Sequence, residues 1–321
     1  MTKHNFESLN HLWESLLESS LINSVFLSPQ WQEVWWENFG ADRKLLLLEI
    51  GRPGQVYGIA PLQRTGNTIS FLGDTDLFDY HDFIVPKGQE SDFYGALVEW
   101  LESELWSELK LSSLPDNSPT LSHLPVLLRE HGWTCEITTE DVVPGLDLPS
   151  DVDGYFQMLN KKDRHELRRK TRRLWSSGEV RTVSYTTPEM VQLHADQFFD
   201  LMRKSRDEKR DFLNDERERF FREIMTELAG RGILQLWFLE MDGKPAASAV
   251  CFDYDNKRML YNSGFDHDYA SLSVGLLIKA ICLQDAIEKG MKYFDFLRGD
   301  ETYKYHMGGK QRFVWQLQAL R

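Results

Sequence analysis

The sequence predicts an α/β protein made of two successive lobes, each a mixed β-sheet covered by helices. Three observations carry that expectation. Residues 258–297 (RMLYNSGFDHDYASLSVGLLIKAICLQDAIEKGMKYFDFL) change hydrophobic period from two to 3.6 and back, the pattern of a strand, a loop, a helix and a second strand. Two strands joined through a helix lie parallel in one sheet, by a right-handed crossover. A hairpin followed by a helix and a strand occurs in the first half and again in the second, without an exact sequence period. Between the halves, residues 140–152 (EDVVPGLDLPSDV) set prolines, a glycine and aspartates where neither period continues. The division is therefore expected at 1–145 and 146–321.

The elements follow in order. Residues 6–17 form an amphipathic helix, and 29–39 a second that starts after Ser28 as N-cap, with Trp31, Val34 and Trp35 on one face. Residues 44–50 and 55–62 flank a Gly-Arg-Pro-Gly turn as a hairpin, 68–72 adds a strand and 82–85 another. Helices over 93–105 and 121–131 bracket a strand at 109–114, the second ending at Gly132. In the second half, 161–173, 188–204 and 216–229 read as helices, and 233–240 and 246–254 as a hairpin around Met-Asp-Gly-Lys. The strand at 258–265 alternates Met259, Tyr261, Ser263 and Phe265 on one side. The helix over 273–289 carries an apolar stripe of Leu276, Ala280, Leu283 and Ile287 up to the C-cap glycine Gly290, and a strand at 292–297 follows.

The chain has 321 residues, 41% hydrophobic and 12% aromatic, enough to fill two cores. Cys135, Cys251 and Cys282 have neither disulfide parity nor metal-ligand spacing, so no disulfide framework and no metal site is expected. The N-terminus lacks a basic segment followed by an apolar run, and nowhere do 18 apolar residues follow one another; a cytoplasmic protein without a membrane span is expected. The net charge of −13 is lopsided: residues 1–150 hold 8 Lys and Arg against 23 Asp and Glu, and residues 151–321 hold 29 against 27. Such a distribution can draw ligands of opposite charge to different places.

Ser271-Leu-Ser273-Val-Gly275 opens the helix after the strand. It reads either as plain hydroxyl capping or as a phosphate cradle, in which free amides at a helix start meet a ligand that a glycine lets approach. Residues 161–173 (KKDRHELRRKTRR) are basic at eight of thirteen positions, with Arg164, Arg168, Thr171 and Arg172 on one helical side. The block is either a solvated face or a site for an anion such as a coenzyme A phosphate, an acyl carrier protein or RNA. No nucleic-acid module accompanies it, so nucleic acid is not the expected partner. Serine nucleophile elbows, P-loops and metal-binding constellations are absent from the sequence.

The GFD strand, the SLSVG loop, the helix closing at EKGMKYFDFLRG and the YK of Asp300-Glu-Thr-Tyr303-Lys304 together resemble the GNAT-superfamily acyltransferases associated with cellulose biosynthesis (CelD-type), relatives of the FemAB-like peptidyltransferases. SPQWQEVWWENFG, GIAPLQR, DLFDYHDF and NKKDRHELRRKTRRL extend the resemblance over most of the chain. It implies tandem GNAT-like lobes, an acidic N-terminal one on the acceptor side and a C-terminal one binding the donor. The implied reaction is direct transfer of an acyl group from acetyl-CoA or another acyl-CoA to an amine or hydroxyl of a small molecule or saccharide.

For that chemistry the resemblance makes Tyr303 the acid for the leaving thiolate and Lys304 the partner of a substrate anion. Gly264, Phe265, Ser271, Ser273, Val274 and Gly275, with Arg164 and Arg168, are expected to hold the donor. Asp79, His81 and Asp82, in an acidic turn suited to a cationic amine, and Tyr261, Asp295 and Arg298, near the strand ends, are candidate substrate residues. An aminoacyl-tRNA-dependent transferase and a non-catalytic binding protein in polysaccharide assembly are the competing readings. The long heptad-rich arm of several tRNA-using relatives is absent from the sequence.

Overall fold

The computed structural model describes residues 2–321, with side chains from His4 onward. It divides into two compact units, one running to Val142 and including Arg312–Arg321, the other Val143–Gln311.

The first unit contains β1 (Thr2–Lys3), α1 (Phe6–Ser19), α2 (Pro29–Phe39), β2 (Lys44–Arg52), β3 (Gln55–Thr65), β4 (Thr68–Phe71), α3 (Glu90–Ser103), β5 (Glu108–Pro115), α4 (Pro119–Glu130) and β6 (Thr134–Val142). Ser28 caps α2 as expected, its Oγ accepting from the amide of Trp31 at 3.3 Å, and Pro29 fills the first helical position, where no amide is needed. Strands β2 and β3 form the hairpin, β4 pairs antiparallel with β3, and α3 carries the chain across to β5, which lies parallel to β4. Residues 82–85, expected as a strand, make only a bridge from Ile84 to Ile59.

The second unit contains β7 (Gly145–Asp147), α5 (Val152–Met158), α6 (Lys161–Trp175), β8 (Val180–Tyr185), α7 (Pro188–Ser205), α8 (Asp207–Phe212), α9 (Asp215–Gly230), β9 (Leu234–Met241), β10 (Lys244–Tyr254), β11 (Lys257–Phe265), α10 (Val274–Glu288), β12 (Tyr293–Asp295) and α11 (Thr302–His306). Its sheet runs β7-β12-β11-β10-β9-β8, with only β11 and β12 parallel. Hairpin, strand, helix and parallel strand thus occur as β2-β3-β4-α3-β5 in one unit and β9-β10-β11-α10-β12 in the other, the repetition expected from the sequence. The helices α7 and α9 pack on one part of this sheet, while α10, flanked by α5 and α6, packs on β9, β10 and β11. Arg258, fully buried at the start of β11, donates to both carboxylate oxygens of Asp253 at 2.6 Å, to Asp285 Oδ2 at 2.5 Å and to the carbonyl of Cys282, tying the sheet to α10.

The last strand, β13 (Phe313–Leu320), corrects the expected division. It lies in the first unit's sheet, antiparallel between β5 and β6, with Leu317 opposite Leu111 on one side and Ile137 on the other. Val314, Leu317 and Ala319 are buried there. Prolines and glycine mark where the chain leaves a core, whereas the sheet a late strand joins depends on which neighbours leave an unpaired edge. Among the described residues no helix is long and apolar enough to cross a membrane.

Candidate active site

A cleft opens where β11 and β12 part. Their parallel ladder covers only Lys257–Met259 against Tyr293–Asp295. Beyond it, β11 bulges: Leu260 faces Cys251 and Asn262 faces Val250, so Tyr261 has no partner on β10 and the expected alternation through Tyr261 and Ser263 is broken. On the other side Leu297 takes a left-handed conformation (φ 57°), which turns the chain away from the sheet, and Asp295 fixes that turn by accepting from the amide of Leu297 at 2.8 Å. The resulting cavity has a volume of about 230 Å³. Residues 260–263 form one wall, Phe296, Arg298, Glu301, Tyr303 and Lys304 the other, with Lys209 of α8, Lys279 of α10 and Arg206, between α7 and α8, completing the lining.

Tyr303 is held on this wall by an edge-on contact with Phe296, ring centroids 6.4 Å apart. The ammonium of Lys279 lies 4.2 Å from the centre of its ring. Burial, then the charge of Glu301, raise its pKa well above the usual phenol value, so the hydroxyl keeps its proton for donation. Lys304 does not match the expected flexible point charge. It is buried; its Nζ donates to the carbonyls of Leu297, Arg298 and Gly299 at 2.9, 2.7 and 3.0 Å and pairs with Glu301 at 3.0 Å. An ammonium has three protons, and the turn uses them all. Lys304 therefore shapes the wall that carries Tyr303.

Sequence reasoning missed two lysines. Lys209, on α8, donates to Asn262 Oδ1 at 2.8 Å and to the carbonyl of Ser263. Burial, helped by the charges of Lys279 and Arg206, lowers its pKa to about 7. Lys279, on α10, is lowered to about 8, again mainly by burial. Lys279 left a legible trace, as the charged residue inside the apolar VGLLIKAICL; Lys209 lies in the charged run RDEKRD, where nothing distinguishes it.

The loop before α10 lacks the hydroxyl capping offered as one reading of it. Residues 267–272 form a 3-10 turn capped by Asp266, and Ser273 stands at the start of α10 in a left-handed conformation (φ 60°) without a side-chain capping bond. The amide of Ser273 is taken by the carbonyl of Ala270 at 2.9 Å, which leaves Val274 and Gly275 as the amides at the helix start. Ser271 is exposed. Gly275 packs closely on Phe265: a Cβ there would lie 2.7 Å from that ring. Gly264 is filled in the same way, by the α7 backbone at Leu201 and Met202, 2.4 Å from its notional Cβ. On the Cβ side both glycines are filled by the protein itself, Gly264 by α7 and Gly275 by Phe265.

The basic helix α6 does present one face. Arg164, Arg168, Thr171 and Arg172 line a groove of about 680 Å³ with Phe156, Lys161, His165 and Gln284 of α10. The guanidinium of Arg168 lies over the Phe156 ring at 4.7 Å, and Arg164 Nη1 donates to the carbonyl of Phe156 at 3.4 Å. α6 also packs against the 267–272 turn, which places this groove beside the start of α10.

In the first unit, His81 and Asp82 do not form an accessible catalytic pair. His81 is 3% exposed and sandwiched between Phe71 and Phe78, centroids 5.5 and 4.5 Å away at angles of 8° and 12°. Asp82 is fully buried, accepting from Thr120 Oγ1 at 2.5 Å and from the amide of Phe83 at 2.8 Å, with its pKa raised by burial to about 6. Both serve the core; Asp79 alone of the three reaches partway to the surface. Tyr261 lines the second unit's cleft while packing on Phe252 and Phe221, 5.0 and 5.8 Å between centroids, and Arg298 lines it too. Among the described residues no group of side chains is arranged to hold a metal ion.

Residues 161–305 match the family model described as acetyltransferase (GNAT) domain. No curated protein matches the chain in sequence. Among solved structures it is similar to the crystal structure of FemX, at 12% identity and a TM-score of 0.68 over 98% of this chain and 97% of that one. It is also similar to the C-terminal domain of a putative lysylphosphatidylglycerol synthetase from Agrobacterium fabrum, at 12% identity and TM-score 0.57, covering 89% and 86%. A tandem GNAT protein from the clavulanic acid biosynthesis pathway aligns at 14% identity and TM-score 0.52, covering 98% and 95%. At such identities these likenesses speak to the fold. The chain accordingly has a tandem GNAT-type fold, carries a GNAT acetyltransferase domain over residues 161–305, and is an acyltransferase.

Proposed function

We propose that the protein transfers an acyl group from acetyl-CoA or another acyl-CoA to an amine or hydroxyl of a small molecule or saccharide, with the reacting carbonyl in the cleft between β11 and β12. The observation that carries this reading is the parting of the two parallel strands at the Tyr261 bulge, with Tyr303 facing it. The acceptor attacks the carbonyl carbon, the carbon–sulfur bond breaks, and the Tyr303 hydroxyl gives its proton to the departing thiolate. A neutral Lys209 has two N–H bonds, matched by Asn262 Oδ1 and the Ser263 carbonyl, and one lone pair left to accept the acceptor's proton. The bulge breaks the β10–β11 ladder at Tyr261, where backbone donors for the developing oxyanion are needed.

The donor's phosphates are assigned to the amides of Val274 and Gly275 and to Arg164 and Arg168 in the neighbouring groove. The resemblance to the CelD-type group and a cytoplasmic location belong to the same proposal. A thiol-release assay with acetyl-CoA and a panel of amines and amino sugars tests it. Tyr303→Phe should lower kcat by roughly 100-fold or more with little change in donor affinity, as loss of a general acid does. Equal activity in the variant and the parent removes Tyr303 as the acid.

A second reading is favoured by one observation, the groove of α6 with its run of basic side chains. There the donor is a larger anionic carrier, an acyl carrier protein or an aminoacyl-tRNA. Native mass spectrometry of the purified protein separates the carriers, and Arg164, Arg168 and Arg172 changed together to Gln should abolish retention of either.

A further inference from the structure

We infer that the β11–β12 cleft holds a carboxylate subsite formed by Arg206 and Lys279, so that one of the two reactants carries a carboxylate close to its reacting atom. The inference rests on the acyl-transfer reading of this cleft and names the substrate class that reading leaves open. Its basis is an imbalance of charge. Arg206 and Lys279 both line the cavity, and among the described residues neither has a hydrogen-bond acceptor or an ion-pair partner. Lys279 Nζ lies over the face of the Tyr303 ring. Glu301, the acid on the cleft wall, already pairs with Lys304 at 3.0 Å.

A cation buried without a partner costs free energy unless a ligand completes it. Lys279, half-buried, bears part of that cost inside a helix where an apolar residue would pack, while Arg206 beside it is exposed; the unpaired charge of Lys279 is the reason to look for a ligand. The cavity of about 230 Å³ admits a carboxylate and a few further atoms. A planar guanidinium beside an ammonium suits the two oxygens of that group. The charged and titratable groups facing the pair are Lys209 from α8, Arg298 and Glu301 from the turn after β12, and Tyr303 and Lys304 from α11. Burial lowers the pKa of Lys279 to about 8, with the charge of Glu301 opposing and those of Arg206 and Lys304 adding to the fall, so an arriving carboxylate should raise it and bind with uptake of a proton.

Calorimetry on the full chain tests the subsite with two matched pairs of probes, succinyl-CoA against butyryl-CoA and free succinate against succinamide. At least one carboxylate should bind tenfold or more tightly than its neutral partner, take up protons in buffers of different ionisation heat, and weaken between pH 7 and 9. That preference should vanish in Lys279→Met and Arg206→Gln and persist in Lys279→Arg, which also controls for folding. Absence of preference in both pairs, or a preference that survives Lys279→Met, overturns the subsite. The two readings separate cleanly: equal binding of both CoA esters, with no preference for succinate, discards the subsite and leaves acyl-CoA as donor. Preference for succinate without binding of any CoA ester keeps the subsite and discards acyl-CoA as donor.

Discussion

Lys304 Nζ and the carbonyl of Leu297 meet at 2.9 Å, and this bond closes a turn in which three successive carbonyls, of Leu297, Arg298 and Gly299, converge on one ammonium. The left-handed Leu297 is what brings them together. Lys304→Met leaves these carbonyls and Glu301 without their donor, so it should cost roughly 2–4 kcal/mol of stability. Because the turn carries Tyr303, kcat should fall along with stability. Urea unfolding and kinetics on the same preparation check this; a stable variant with only a raised KM for the acceptor would return Lys304 to the role of substrate partner.

The acid limb of the pH–rate profile should belong to Lys209. As a lysine whose folded pKa is lowered to about 7, it accepts a proton only in the neutral form, so kcat/KM should rise with pH through about 7 and level off above it. Its stability contribution has the same sign: between about 7 and 10.5 the unfolded state binds more protons, so stability rises with pH there. Lys209→Met should abolish most turnover and flatten both curves. An unchanged rise in the rate profile of any residual activity would move the base elsewhere.

Asp82 has the opposite linkage. Its folded pKa of about 6 lies above the ordinary 3.8, so the native state binds the extra proton between these values and stability falls as pH rises from about 4 to about 6. The two-unit shift corresponds to an effect on the order of 3 kcal/mol. Asp82→Asn keeps an acceptor for Thr120 and the Phe83 amide and cannot ionise, so its melting temperature should lack that part of the decline. Parallel melting curves across pH 4–6 for parent and variant would show that Asp82 is already ionised at pH 4.

Much of this architecture was legible because it follows from local pattern. The period change over 258–297 gave the crossover, and Ser28 before Pro29 gave the start of α2. What stayed hidden depends on non-local pairing. The strand Phe313–Leu320 carries no mark of the sheet it joins, and the bulge at Tyr261 exists only relative to β10. The candidate site divides the same way: Tyr303 followed from a motif, whereas Lys209 becomes informative only once α8 sets it against Asn262 and Ser263. His81 and Asp82 misled because adjacent polar residues in an acidic stretch read as exposed, while Phe71, Phe78 and Thr120 enclose them.

Gly264 and Gly275 offer the sharpest test of packing against ligand approach. An Ala Cβ at Gly264 would stand 2.4 Å from the backbone carbon of Leu201 and the backbone nitrogen of Met202, atoms that move only if α7 lifts from β11. That lift also disturbs the chain entering α8, where Lys209 is anchored, so Gly264→Ala should cost about 3 kcal/mol and lower turnover. At Gly275 the obstacle is the Phe265 ring at 2.7 Å, a side chain that can rotate, and alanine gains up to about 1 kcal/mol of helix propensity within α10. Gly275→Ala should therefore stay within about 1 kcal/mol of the parent. If its KM for acetyl-CoA nevertheless rises tenfold while stability and kcat hold, the glycine is there for a phosphate; if KM holds as well, Gly275 serves only the fit of α10 on Phe265.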